Sequence, residues 1–355
     1  MILGYYSVVA GWTLEYIFQA LSGSFLGSAD GDFVTLFKNF STHPLRPLVC
    51  LLVFVLATHW VVVRGVQKGI ERSSKLLMPL LFALILILAV CAVMLPGAEK
   101  GIRFLLQPDF SKLDSEVFLG AMGQAFFSLS LGMGCLSTYA SYFGKESRLA
   151  HTAVSVGLID TFVAVLAGLI IFPAAFSVGI SPDSGPSLVF ITLPNIFHQA
   201  FAGIPLIGYV CSVLFYLLLA LAALTSTISL HEVSTAFLHE KFHFSRIKAA
   251  RLVTAGSLLI GIVSSLSLGC WSGYQIAGLN FFDALDFLTA KIMLPLSAIL
   301  IAIFVGWYLD KRLVKDEITN KGSLSMPLYP VYSFILRYVA PVGITLIFIN
   351  ELGWL

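Results

Sequence analysis

The segment AFFSLSLGMGC, residues 125–135, lies inside a long apolar run and decides how that run can fold. It places two serines and two glycines close together, with a methionine between the glycines: Ser128, Ser130, Gly132, Met133 and Gly134. Each glycine disfavours a helix by about 1 kcal/mol relative to alanine, and serine side chains compete for the backbone hydrogen bonds of a helix. Two interpretations are open. The helix either uncoils here, or it continues with its serines bonded to preceding carbonyls and its glycines packed against a neighbour.

The composition indicates an integral membrane protein. Of the 355 residues, 58% are hydrophobic and only 11% are charged, which is too much apolar surface for a soluble core to bury. The formal charge of +2 gives no reason to expect a nucleic-acid partner. The five cysteines are scattered without a CxxC pair, which argues against a metal centre or a disulfide framework. Without any nucleophile and base in a recognisable arrangement, we also predict that the protein is not an enzyme.

Apolar runs long enough to cross a bilayer recur along the whole chain. A helix needs about 20 mostly apolar residues to cross the hydrocarbon core. The sequence therefore predicts about nine spans, at residues 1–26, 46–63, 76–95, 116–142, 152–178, 203–238, 249–269, 283–309 and 330–352. We predict an all-α integral membrane protein whose residues 1–355 form a single transmembrane domain.

The connectors between these spans differ in positive charge. Alternate connectors hold one set of basic residues, namely Arg64, Lys68, Arg72, Lys75, Lys145, Arg148, Lys241, Arg246, Lys248, Arg251, Lys311, Arg312, Lys315 and Lys321. The opposite connectors hold a smaller set, namely Lys38, Arg46, Lys100, Arg103 and Lys112. Because cytoplasmic loops carry the excess of lysine and arginine, the larger set is predicted to face the cytoplasm. The C-terminus is then external, in a multi-pass protein of the cytoplasmic (inner) membrane.

Asp160 is a carboxylate with apolar sequence on both sides, in VGLIDTFVAVLAGLIIFP. An ionised carboxylate at this depth costs several kcal/mol unless a cation or another partner offsets it. Asp160 is therefore a candidate functional residue. The alternative is a protonated acid that hydrogen-bonds to a neighbouring helix.

Four hydroxyl side chains crowd into the apolar segment ALAALTSTISLHE, residues 220–232: Thr225, Ser226, Thr227 and Ser229. Hydroxyl and carbonyl oxygens are hard ligands that suit an alkali cation. Such hydroxyls also join neighbouring helices, and the sequence leaves both roles open. The pair His231–Glu232 is not the start of a zinc-protease HExxH motif, because Thr235 stands where the second histidine would be.

Several segments together resemble the neurotransmitter:sodium symporter family, which has the leucine-transporter fold. In chain order they are GYYSVVAGWTL, GQAFFSLSLGMGCLSTYASYF, LIDTFVAVLAGLIIFP, GPSLVFITLPNIF, AALTSTISLHE and LDFLTAKIMLPL. They are similar to the family's third, sixth and seventh helices, its fourth external loop, and its eighth and tenth helices. The resemblance runs along essentially the whole chain and is strongest to bacterial members with eleven helices.

The same resemblance implies that the chain is N-terminally truncated. It lacks the family's first two helices and the start of the third, as a mis-called start, a truncation or a fragment would. Residues 1–95 would be the remainder of the first structural repeat, 116–309 the second repeat, and 330–352 an extra C-terminal helix. The expected function is sodium-coupled symport by alternating access, with a broken helix at 127–134. The alternative is a non-transporting, truncated remnant of such a symporter.

The resemblance implies two sodium sites. Ser128 and Asp160 match ligands of the first, and Ala222, Thr225 and Ser226 match ligands of the second. In the family, each site also takes ligands from the first helix, so both Na⁺ sites are expected to be incomplete in this chain.

A neutral amino acid, hydrophobic or aromatic, is the small-molecule substrate that the resemblance implies, and the lipid bilayer is the other partner. The positions that match the substrate pocket are Ile2, Tyr6, Val9, Phe127, Ser130, Met133, Ser229 and Leu230. Those that match the gates are Asp286 on the outside, and Tyr142 and Glu240 on the inside. Lys291 departs from the family pattern, and Asp286 is its expected partner.

Overall fold

The computed structural model describes residues 1–25, 33–144, 147–179, 188–201 and 203–354, except for the side chain of Gln67. Lys145 and the first three residues of the segment 185–197 lie outside these ranges. The described residues form helices and no β-strand, apart from an isolated bridge between Ile276 and Leu279. This confirms the predicted all-α class.

Sixteen α-helices are formed, in chain order. They are α1 Ile2–Leu21, α2 Phe33–Ser41, α3 Arg46–Val63, α4 Arg72–Val93, α5 Ala98–Leu106, α6 Ser115–Ser128, α7 Cys135–Ala140, α8 Leu149–Ser177, α9 Leu193–Ala200, α10 Pro205–Phe242, α11 Arg246–Ser267, α12 Phe281–Asp286, α13 Leu294–Ile303, α14 Lys311–Ile318, α15 Tyr329–Phe334 and α16 Ala340–Glu351. Shorter π-helical turns are Val66–Glu71, Leu188–Thr192, Phe287–Met293, Phe304–Tyr308 and Ile335–Val339, and a 3₁₀ turn is Phe110–Lys112.

Seven helical segments of the described chain are long and apolar enough to cross a membrane. They are Arg46–Val63, Lys68–Val93, Leu149–Ser177, Pro205–Phe242, Arg246–Ser267, Phe281–Tyr308 and Tyr329–Glu351. The two other predicted spans have different reasons for falling outside this set. Helix α1 is continuous but carries polar residues such as Glu15 and Gln19. The span 116–142 is not one helix, because α6 ends at Ser128 and α7 begins at Cys135.

The first of two compact units comprises residues 1–108 and 164–285. Its interior is formed by α1, α3, α10 and α11, which pack closely. Small residues allow this, since a Cβ added to Gly11 would lie 2.9 Å from the backbone nitrogen of Leu51. Near the end of α1, the Tyr16 and Tyr216 hydroxyls donate hydrogen bonds of 2.6 and 3.0 Å to backbone carbonyls of the turn Leu188–Thr192.

The second unit comprises residues 109–163 and 286–355. It contains α6, α7 and the first part of α8, together with α13 to α16. Helix α16 packs against α13 and α6. The predicted partition of the chain into two repeats and an extra helix stays a prediction.

Candidate functional site

The chain uncoils between α6 and α7. Residues 129–134 are not helical, and three of them have left-handed backbone angles: Ser130 with φ 53°, Gly132 with φ 79° and Gly134 with φ 82°. Only glycine adopts these angles without a steric penalty, which explains the two glycines. The prediction of a broken helix is therefore confirmed. Its bounds were wrong by two residues, because Phe127 and Ser128 still belong to the last turn of α6.

The end of α6 meets a carboxylate on α8. The Ser128 hydroxyl lies 2.9 Å from Oδ1 and 2.8 Å from Oδ2 of Asp160, to which it donates a hydrogen bond. The structure thus brings together the two residues predicted for the first cation site, although they are 32 positions apart in sequence. A hydroxyl and a carboxylate, next to uncoiled backbone, are oxygen ligands of the kind that a hard cation prefers.

The residues predicted for the second cation site lie within one turn of α10. The hydroxyls of Thr225 and Ser226 approach the Ala222 carbonyl oxygen at 2.8 and 3.2 Å. These bonds stay within the helix, but they converge three oxygen atoms on its accessible side, where Ser226 is exposed. Thr227 takes another role, because its side chain is fully buried and bonds to Thr58 of α3 at 2.8 Å.

Helices α1 and α10 carry the substrate candidates of the first unit. Ile2, Tyr6 and Val9 are partly exposed, although most of their neighbours on α1 are buried, and their spacing places them on one face of the helix. The side chain of Tyr6 interacts with that of Ser226. A substrate candidate and a cation candidate are therefore adjacent. Ser229 and Leu230 follow on α10, where the Ser229 hydroxyl bonds to the Thr225 carbonyl at 3.1 Å.

The second unit carries the other substrate candidates around the break. Phe127 is 53% exposed at the end of α6, and Ser130 and Met133 are partly exposed in the uncoiled segment. Side chains near uncoiled backbone can bind a ligand together with the free backbone groups. Each unit therefore contains one half of the predicted site.

The three predicted gate residues lie at helix ends. Asp286 ends α12 directly before the π-helical turn Phe287–Met293, Tyr142 follows α7, and Glu240 is exposed near the end of α10. Lys291 lies in the π-helical turn, and its ammonium pairs with the Glu351 carboxylate at 3.7 Å. Sequence reasoning did not consider Glu351, because 60 residues separate the two partners.

Comparisons with known proteins identify this arrangement. The model of the "Sodium:neurotransmitter symporter family" matches residues 41–353. The chain belongs to this family. An uncharacterized sodium-dependent transporter of Bacillus subtilis, YhdH, is 38% identical over 99% of this chain and 77% of its own length. Another, from Haemophilus influenzae, is 39% identical over 99% of this chain and 76% of its own.

A solved structure of the sodium:neurotransmitter symporter fold agrees with the chain as well. The crystal structure of MhsT in complex with L-phenylalanine has a TM-score of 0.85 and 42% identity, over 99% of this chain and 78% of MhsT. Together with the family match, this confirms the leucine-transporter fold. The protein is a multi-pass, sodium-coupled transporter and not an enzyme.

Sequence reasoning missed one polar group in this sodium:neurotransmitter symporter. The fully buried side chains His231 and Glu232 both have partners on α11: Thr254 at 2.9 Å from His231, and Arg246 at 2.6 Å from Glu232. The signal was present in the segment 220–232, where two ionisable residues follow the hydroxyl cluster. Only their partners, which the sequence does not reveal, show that they join helices.

Proposed function

We propose that the protein couples the inward movement of sodium ions to the uptake of a neutral, hydrophobic or aromatic amino acid across the cytoplasmic membrane. The observation that carries the proposal is the pairing of Ser128 with Asp160 beside the uncoiled residues 129–134. Irregular backbone at membrane depth is tolerated where it lines a cavity or is buried in protein. A carboxylate there suits a monovalent cation as its partner.

Two sodium sites would then contribute to coupling. Ser128 and Asp160 would bind one ion with a carboxylate, and Ala222, Thr225 and Ser226 would bind the other with neutral oxygens. The converging oxygens on α10 support the second site. Coupling requires that the ions favour the conformation to which the amino acid binds.

The substrate class is supported by the side chains near the break and on α1. Ile2, Val9, Met133 and Leu230 are apolar, and a flexible methionine between two glycines makes an adaptable wall. Tyr6 would donate its hydroxyl proton to the substrate carboxylate. MhsT, which is 42% identical, was crystallised with L-phenylalanine. Asp286, on the outer side, and Tyr142 and Glu240, on the inner side, would belong to the gates that open alternately.

Uptake of a labelled amino-acid panel into proteoliposomes tests this function. With an inward sodium gradient, we expect accumulation of phenylalanine, tryptophan, tyrosine and leucine, and little uptake of lysine or glutamate. Replacement of sodium by choline should abolish accumulation. Equal uptake in both salts would contradict sodium coupling, whereas sodium-dependent uptake confined to charged amino acids would contradict the substrate class.

A further inference from the structure

The hydroxyl-rich segment of α10 has two polar faces. Ala222, Thr225 and Ser226 lie toward the accessible side, whereas Thr227, His231 and Thr235 are completely buried. With 3.6 residues per turn, residues 227, 231 and 235 form a stripe roughly opposite to residues 225, 226 and 229. The proposed function uses the first face and gives no role to the buried one.

The buried face is connected to two other helices of the same unit. Thr227 bonds to Thr58 of α3 with 2.8 Å between the hydroxyl oxygens. The Nε2 atom of His231 lies 2.9 Å from the hydroxyl of Thr254 on α11. That hydroxyl in turn lies 2.7 Å from Nδ1 of His59, the residue after Thr58 on α3. We call these five residues, Thr58, His59, Thr227, His231 and Thr254, the α10 brace.

The protons of the brace can be assigned from its bonds. The Thr254 hydroxyl donates its single proton to the Ala250 carbonyl at 2.8 Å, so it accepts from both histidines. His59 therefore carries a proton on Nδ1, and His231 carries one on Nε2. The other nitrogen of His231 lies 2.9 Å from the Thr235 hydroxyl, which can donate to it. Every polar group in this chain of contacts has a partner, and such networks hold helices in one arrangement.

We propose that the α10 brace fixes the rotation of α10 and thereby sets the sodium affinity of the site formed by Ala222, Thr225 and Ser226. Thr58, Thr227, His231 and Thr254 are thus positioning residues for sodium binding. Thr227 directly follows Ser226, so a rotation that breaks its bond to Thr58 also moves the sodium ligands. This inference rests on the proposed function, because it needs the α10 sodium site.

Paired substitutions that keep or remove one hydrogen bond test the brace. Thr58→Val removes the hydroxyl at nearly constant volume, and Thr58→Ser keeps it. His231→Leu removes the ring nitrogens, and His231→Gln restores an N–H near the position of Nε2. Supporting partners of metal ligands typically change affinity by 10- to 100-fold. Since sodium is held weakly, we expect Thr58→Val and His231→Leu to raise the half-saturating sodium concentration by about tenfold, and the two conservative variants by less than about twofold.

The measurement is initial uptake against sodium concentration at saturating amino acid, normalised to the folded protein in the membrane. A purely structural role would lower the amount of folded transporter and leave the half-saturating sodium concentration unchanged. That result in Thr58→Val and His231→Leu would overturn the proposal. An equal shift in Thr58→Ser and Thr58→Val would overturn it as well, because the hydroxyl would then not be the cause.

A double variant covers the case in which a single one fails to fold. In Thr58→Val/Thr227→Val both hydroxyls are absent, so neither is left buried without a partner, and such double replacements are close to neutral for stability. We expect it to show the same sodium shift as Thr58→Val. A sodium dependence equal to that of the parent would overturn the brace. The matched control is Thr345→Val, because the Thr345 hydroxyl bonds to Pro341 of its own helix.

Ser226→Ala separates failure of the brace from failure of the proposed sodium site. If Ser226→Ala shifts the sodium dependence and the double variant does not, the site is right and the brace is wrong. If Ser226→Ala leaves the sodium dependence unchanged, the α10 site itself is wrong. A shift in both variants supports the two together.

Discussion

At the scale of the residue, Asp160 combines two properties that suit a cation site. It supplies a full negative charge within an apolar helix, and its two oxygens both lie within 3 Å of one hydroxyl, that of Ser128. The hydroxyl restrains the direction of the carboxylate. A sodium ion at this place would compensate a charge that is costly to bury alone.

Removing this charge is expected to weaken sodium dependence directly. Asp160→Asn keeps an oxygen ligand but loses the negative charge, so the half-saturating sodium concentration should rise by at least about tenfold, equivalent to about 1.4 kcal/mol. Asp160→Ala should abolish sodium stimulation. Sodium titrations of uptake check both variants, and Thr161→Ala is the matched control, because that hydroxyl bonds to Gly157 of its own helix. Unchanged sodium dependence in Asp160→Asn would remove this residue from the ion site.

Met133 offers a test of substrate size. It lies partly exposed in the uncoiled segment, and its unbranched side chain adapts to different ligand shapes. Met133→Phe should make this part of the pocket larger in volume and more rigid, so the bulkiest substrates should lose affinity first. We expect the KM for tryptophan to rise by about tenfold and that for leucine by less, in line with the 1–3 kcal/mol that one misfit in an apolar pocket costs. Uptake competition between the two amino acids measures the change. An equal effect on both substrates would argue against a role for Met133 in selecting size.

At the scale of the element, the break between α6 and α7 depends on Gly132 for two independent reasons. Its φ of 79° is left-handed, and an added Cβ would lie 2.5 Å from the carbonyl oxygen of Leu294. That oxygen belongs to the backbone of α13 and has little freedom to move. The sequence of the break is therefore fitted to a neighbouring helix in its own unit.

Gly132→Ala should accordingly destabilise the protein and impair transport. The left-handed angle alone costs about 1–2 kcal/mol in a residue with a Cβ, and the close contact adds to it. The matched control is Gly120→Ala in α6, where no atom lies within 4 Å of the added Cβ and alanine favours the helix. Thermal unfolding in detergent and uptake measure the two effects. A Gly132→Ala protein as stable and active as Gly120→Ala would show that the break tolerates a side chain.

The sequence predicted the elements better than their connections. Length and apolar character place the membrane helices, and the glycines near 132 indicate the break, because these are local properties of the chain. The π-helical turn Phe287–Met293 and the pairing of Lys291 with Glu351 depend on packing between distant segments. Likewise, the hydroxyls of Thr225 and Thr227 look equivalent in the sequence. Only the packing of α3 against α10 makes the second one a buried contact.

At the scale of the whole molecule, the distribution of charge predicts an orientation in the membrane. The connector around α14 contains Lys311, Arg312 and Lys315, which the positive-inside rule assigns to the cytoplasm. The connector that follows α11 is then external, as is the C-terminus. This orientation is a prediction of the sequence that needs a direct chemical test.

Cys270 permits that test, because it is the exposed one among the five cysteines and follows α11 directly. A membrane-impermeant maleimide should therefore label the protein in intact cells, and Cys270→Ser should remove most of the labelling. In a Cys270→Ser background, Lys315→Cys places an exposed thiol on α14. It should react only after the membrane is permeabilised, because the charged reagent does not cross the bilayer. Labelling of Lys315→Cys in intact cells, with Cys270 protected, would reverse the predicted orientation and place the C-terminus inside.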